Sequence, residues 1–201
     1  MSYTTEFVEA LIFNKKVDKE LKNQNIDREA LIYNIENEFK SDRELGGFLN
    51  SILEVAAKSF ISNSTIDLAN QCHNVSQQFF NNWMSQELGE IAPISITIGN
   101  VSFDNEEIYT VSKSSVKKTI NEGFNSNKSL DLHVWLTFQN MKVLDLTIVP
   151  TLIRKGLATT EDFNGKKYVI WEEEDGSRLA YKPILQNNHF LYLVDRVKGY
   201  A

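Results

Sequence analysis

The 201-residue chain holds a single cysteine, Cys72, which excludes an internal disulfide and a thiolate metal cluster. No apolar run approaches the ~20 residues that a membrane-spanning helix requires. The opening residues, Met1-Ser2-Tyr3-Thr4-Thr5-Glu6, lack the basic-then-apolar order of a secretory leader. A cytoplasmic protein, acting away from the membrane, is the expectation. Basic residues are outnumbered, with 21 Lys and Arg against 27 Asp and Glu and a net charge of −6. A protein that tracks a phosphate backbone needs a clustered basic stripe, and the densest pairs here are Lys117-Lys118 and Lys166-Lys167. No nucleic-acid partner is expected. The glycines form no phosphate-cradling loop, and the three histidines and one cysteine have no zinc spacing. No metal and no cofactor are expected, and there is no internal repeat.

What is present is an ordinary globular composition, 42% hydrophobic and 24% charged, long enough to bury a core unaided. The first sixty residues read as helical. Phe7, Val8, Leu11 and Ile12 share a face. Asp27 stands as an N-cap before Ala30, Leu31, Ile35 and Phe39. A third helix is predicted from about Arg43 to Phe60. A fourth runs from about Gln71 to Leu88, with Gly89 as its C-terminal glycine. Beyond Pro93 the period changes to that of strands: Ile94, Ile96 and Ile98 alternate with polar residues. Further strands are predicted over 107–111, 130–138, 142–149, 167–171, 178–185 and 189–194. Helices first and an antiparallel sheet second make the fold α+β, with a helical N-terminal part at 1–61 and an α+β core at 62–201.

Cys72 opens the fourth helix. A helix N-terminus lowers the pKa of a thiol placed there, and its unpaired N–H groups can hold an oxyanion. Asn70 and Gln71 precede it as further side-chain donors. Downstream, Leu132, Val134, Leu136 and Phe138 alternate with Asp131, His133, Trp135 and Thr137. In the next run Leu144, Leu146 and Ile148 alternate with Asp145 and Thr147. The two runs should form a hairpin around Gln139-Asn140-Met141. A loop of three or five residues sets odd positions against odd, so His133 and Asp145 share one face and the apolar residues the other. A two-residue loop sets Asp145 among leucines and valines, at a cost of several kcal/mol. The odd loop is therefore required. An imidazole that titrates near neutrality can take the thiol proton, and a carboxylate fixes its tautomer.

The order Cys72, then His133-Val134-Trp135, then Asp145-Leu146-Thr147 resembles the transglutaminase-like branch of the papain-like cysteine superfamily. There the cysteine begins a helix, the histidine starts an H-x-W strand and the aspartate a D-x-T strand. The resemblance covers about residues 67–149. It implies a nucleophile-bearing helix packed on an antiparallel sheet. Cys72 is then the nucleophile, His133 the general base and acid and Asp145 the orienting acid, with Trp135 and Thr147 as supporting residues on the two strands. The chain departs from the family in lacking a glycine near Cys72. It also has Leu146 where a proline is common and no tryptophan shortly before Asp145.

The implied activity is acyl transfer from an amide or ester carbonyl of a peptide, protein or small molecule, to water or to an amine. The alternative is a catalytically inactive binding or scaffold protein of the same fold, with Cys72 buried and inert. His73 points away from the Cys72 direction and reads as exposed or as a cap contact. The N-terminal helices are candidates for a partner-binding module or a lid, set against ordinary packing on the sheet.

Overall fold

The computed structural model describes residues 1–18, 21–122 and 132–194. The chain is α+β. Among the described residues six strands, β1 (Ile94–Phe103), β2 (Glu106–Tyr109), β3 (His133–Phe138), β4 (Val143–Asp145), β5 (Val169–Trp171) and β6 (Leu179–Gln186), form an open antiparallel sheet. Their order is β2-β1-β3-β4-β5, with β6 also on β1. The chain divides into two compact units, one of residues 1–34, 97–133 and 173–201, the other of 35–96 and 134–172.

In the first unit, α1 (Tyr3–Val17) begins at Ser2, whose hydroxyl accepts from Thr5 N at 3.3 Å. Its face of Tyr3, Phe7, Val8 and Ala10 is buried, and the helix packs along β6. Burying Phe7 and Val8 contributes about 1.5–3 kcal/mol each. At its far end Asn14 is buried too, and its side-chain oxygen accepts from Asn187 Nδ2 at 2.7 Å. α2 (Arg28–Asn34) starts where Asp27 Oδ1 accepts from Ala30 N at 3.0 Å. β6 pairs with β1 from Thr97↔Gln186 to Phe103↔Leu179, with a register shift between Ile98 and Gly99. Pro183, which has no N–H to give, stands opposite Gly99 at that shift. α6 (Lys113–Glu122) starts from a reciprocal pair, with Ser112 Oγ accepting from Ser115 N and Ser115 Oγ from Ser112 N.

In the second unit, a π-helical turn (Ile35–Phe39) leads to α3 (Arg43–Asn63). α4 (Cys72–Met84) packs between α3 and β3 through a column of rings. Phe60 meets Phe79 edge-on at 5.4 Å, Phe79 stacks on Trp83 at 5.8 Å, and Trp83 meets Phe138 edge-on at 5.4 Å. Trp83 Nε1 also donates to Ala92 O at 2.8 Å, so a wholly buried indole keeps its partner. β4 lies between β3 and β5. The buried ammonium of Lys142 pins the β3–β4 turn to Asn50 of α3 and to Glu172.

Three predicted elements need correction. The fourth helix stops at Met84, and Gly89 lies inside a separate short helix, α5 (Leu88–Ile91). A Cβ on Gly89 would sit 2.7 Å from Met84 Cα, so glycine is required there by close approach rather than as a C-cap. The strand predicted over 142–149 ends at Asp145, and Ile148 and Val149 begin α7 (Ile148–Arg154). Thr147 is consequently the residue before a helix rather than a strand residue. The strand predicted over 189–194 is a helical turn, α8 (Phe190–Leu193). Leu130 and Asp131, taken as the start of the strand that holds His133, lie outside the described residues.

Candidate active site around Cys72

The chain enters α4 through a tightly held loop. Asp67 Oδ1 accepts from Ala69 N at 3.2 Å, closing a turn. Asn70 follows with φ +60°, a left-handed conformation that asparagine adopts more readily than most residues. Its backbone N–H donates to Thr151 Oγ1 of α7 at 3.1 Å. Arg154, one turn further along α7, donates to Ala69 O at 3.4 Å and pairs with Asp67. Both anchors lie in α7, some eighty residues away in sequence.

Gln71 is the N-cap residue of α4 and offers no side-chain cap. Its side-chain Oε1 accepts from Asn74 Nδ2 at 2.8 Å, which leaves its Nε2 end as the donor. Cys72 is then the first helical residue, and it is 5% exposed. His73 is buried as well, at 8% exposure, which corrects the expectation of an exposed side chain. One turn on from Cys72, Ser76 Oγ donates to Val134 O at 3.1 Å. The face of α4 that carries Cys72 therefore lies against the β3 backbone.

The β3–β4 hairpin pairs Leu136 with Leu144 and Thr137 with Val143. Phe138 N donates to Lys142 O at 2.9 Å, and Met141 N to Phe138 O at 2.8 Å, with Met141 at φ +66°. Residues 139–141 are thus the loop, an odd length, as the cost of a misplaced carboxylate demands. Carried one step further, the same register sets Trp135 across from Asp145. All six residues of β3 are buried, so both faces of that strand are covered.

Asp145 ends β4 at 1% exposure. Its Oδ1 accepts from Thr147 N at 2.9 Å, from Thr147 Oγ1 at 3.2 Å and from Ile148 N at 3.0 Å. The aspartate thereby caps the first turn of α7. Pro150 fits the same turn, since its missing N–H is among the four that a helix start leaves unpaired. With Oδ1 engaged, any role toward an imidazole falls to Oδ2. His133 opens β3, is wholly buried and stacks on the Tyr109 ring at 4.9 Å and 19° between planes.

The second unit thus joins Asp145, Thr147 and the Asn70-Gln71-Cys72 segment through α7, and holds Trp135 on the neighbouring strand; His133 is counted with the first unit. Reading the sequence missed Thr151, Arg154, Ser76 and Tyr109. The i, i+3 spacing of Thr151 and Arg154 marks only a shared helix face, and says nothing of the loop they hold. Among the described residues no cluster of three or more His, Cys, Asp or Glu could hold a metal ion. No described helix is long and apolar enough to cross a membrane. No protein-family model, no curated protein and no solved structure matches the chain.

Proposed function

We propose that this chain is a cysteine-dependent acyl-transfer enzyme with a transglutaminase-like core, using Cys72, His133 and Asp145. The observation that carries the reading is a cysteine as first residue of an uncapped helix whose same face is hydrogen-bonded to β3 at Val134, the residue after His133. In this reaction His133 takes the Cys72 proton, and the thiolate attacks the carbonyl carbon of an amide or ester. The first-turn N–H groups of α4, with Gln71 and Asn70, hold the oxyanion. Collapse forms a thioester on Cys72 and expels an amine or alcohol, which receives the proton from His133. Water or an amine then attacks the thioester and restores the thiol. Asp145, through Oδ2, orients the imidazole, with Trp135 and Thr147 beside it on the hairpin side. The acyl donor is a peptide, protein or small molecule in the cytoplasm.

The test is alkylation of the full chain by iodoacetamide, followed by intact mass from pH 5 to 9. At pH 7 Cys72 should label about tenfold faster than in the urea-unfolded chain, because its thiolate fraction is raised. His133→Ala should reduce the rate to the unfolded value, and Cys72→Ala should abolish labelling. A folded wild-type rate no higher than the unfolded one sinks the proposal.

A second reading, a binding protein with an inert Cys72, is favoured by the burial of that thiol and by a groove elsewhere in the same unit. The groove, about 350 Å³, lies between α3 and α4 with Phe60, Phe79 and Trp83 in its walls and the neutral side chains of Ser59, Asn63 and Asn82 along it. Under that reading the folded thiol labels no faster than the unfolded one at any pH, and Cys72→Ala leaves every function intact.

A further inference from the structure

Cys72 reaches its place through a loop whose backbone is gripped by two side chains of α7. Within Asp67-Leu68-Ala69-Asn70-Gln71 the Asp67 carboxylate closes a local turn on Ala69 N, and α7 supplies the long-range hold. The loop backbone turns left-handed at Asn70, and α4 opens with no side-chain cap. The direction of the first helical turn follows what grips residues 67–70, and two side chains of α7 are among those grips. Thr151 Oγ1 takes the Asn70 N–H at 3.1 Å, and the Arg154 guanidinium reaches Ala69 O at 3.4 Å and the Asp67 carboxylate. They stand three residues apart on α7, hence on one face of it. The helix that presents them is itself oriented by Asp145, which caps its first turn with three hydrogen bonds to Oδ1.

We propose that Thr151 is a positioning residue that, with Arg154 beside it, ties the start of α4 and its Cys72 thiol to the strand end that carries Asp145. This rests on the acyl-transfer reading for its purpose, but its geometry stands apart from that reading. Thr151 is 1% exposed, so its hydroxyl has no solvent to bond in place of Asn70, and replacing it frees the loop rather than rehydrating it. Arg154 is half exposed, and its ion pair with Asp67 lies at the surface, where solvent and salt weaken it. The hydrogen bond from Asn70 to Thr151 is therefore the stronger grip. The Arg154 hydrogen bond keeps the Asp67 carboxyl below its ordinary pKa, so the pair is intact at neutral pH.

Thr151→Val keeps the side chain's size and removes its oxygen, whereas Thr151→Ser keeps the oxygen and removes a methyl. Each variant of the full chain is alkylated with iodoacetamide from pH 5 to 9, with thermal unfolding recorded beside it. Loss of the grip lets the first turn of α4 fray and its N–H groups lose their alignment on the thiol, so the pH midpoint of alkylation moves in Thr151→Val by at least half a unit toward that of the unfolded chain. Thr151→Ser restores the wild-type midpoint. A Thr151→Val chain that melts earlier yet keeps the wild-type midpoint overturns the proposal, because it leaves Thr151 a purely structural role. If Thr151→Val does not fold, Arg154→Gln at the exposed position takes its place. A smaller shift in the same direction supports the grip, and an unmoved midpoint overturns it. The acyl-transfer reading is judged separately, by whether the wild-type midpoint lies below that of the unfolded chain.

Discussion

The starts of α3 and α4 lie in the same unit and are built in opposite ways. α3 is preceded by Asp42 in an extended conformation, and its Oδ1 accepts from Glu44 N at 2.9 Å and Leu45 N at 3.0 Å. Its first two residues, Arg43 and Glu44, are exposed, and Glu44 complements the helix dipole. α4 has no side-chain cap and no acidic residue in its first turn, and it begins with buried Cys72 and His73. A helix start arranged as in α3 is finished: its donors are satisfied locally. The start of α4 is held by α7, and its N-cap residue, Gln71, gives it no side-chain cap. Under the proposed function, the difference assigns stability to one helix start and chemistry to the other.

The sharpest way to measure that separation is to remove a carboxylate from each kind of position. Asp145→Ala deletes the acceptor of three buried hydrogen bonds and leaves Thr147 N and Ile148 N without it. Stranding buried donors in this way costs about 2–4 kcal/mol, read as a lower urea midpoint at unchanged slope. Asp42→Ala removes a cap that solvent can partly replace, for about 1 kcal/mol. Only the first should also slow Cys72 alkylation, since only Asp145 orients α7. Equal losses from the two, or slowed alkylation in Asp42→Ala, would erase the contrast.

The contrast can also be broken from the α4 side, by giving that helix the cap it lacks. Gln71→Asp supplies a carboxylate at the N-cap, where it can accept from the first-turn N–H groups. A new cap stabilises by about 0.5–1 kcal/mol. The same carboxylate occupies the donors proposed for the oxyanion and raises the thiol pKa, so the variant should melt higher and label more slowly at pH 7. A variant that melts higher and labels as before would mean that the bare helix start serves no chemistry.

Helix starts also show what the sequence could and could not disclose. Asp27 was legible as a cap because the apolar residues behind it keep a helical period, and Oδ1 does accept from Ala30 N. The start of α4 was legible for the same reason, as was the odd β3–β4 loop, which follows from alternation alone. α6 was not, because Val116 is its one buried residue and a single apolar position makes no stripe. Leu144 to Ile148 misled in the opposite direction: the run alternates, yet Asp145 turns back to cap the residues after it, and the strand ends there. His189 to Val194 failed similarly, as an apolar run with no local signal to separate strand from helical turn. The grip of Thr151 on Asn70 was beyond reach, since a hydrogen bond across 81 positions leaves no periodicity to read.

The smallest effect tests the claim that α3 is the helix given over to stability. On its outer side Glu54 lies 2.9 Å from Lys166 Nζ and 3.3 Å from Lys58 Nζ, and it accepts from Tyr168 OH at 3.2 Å. Hydrogen bonds from Lys166, then from Lys58, and their charges hold its carboxyl down at about 2. A carboxyl whose folded pKa is depressed stabilises above its unfolded value and loses that contribution as pH falls through the folded one. The Glu54 contribution is therefore complete above about pH 5, falls as pH drops below the ordinary glutamate value, and is gone near pH 2. The group is solvent-exposed, so salt should shrink the effect. Glu54→Gln removes this titration, and the melting temperature of the variant should depend less steeply on pH between 5 and 2.5 than that of the wild type. Half-molar sodium chloride should bring the two curves together. Parallel curves at low salt would show that the α3 ion pairs add nothing to stability, and the burden would then rest on the Asp42 cap and the buried face of Leu45, Leu49 and Leu53.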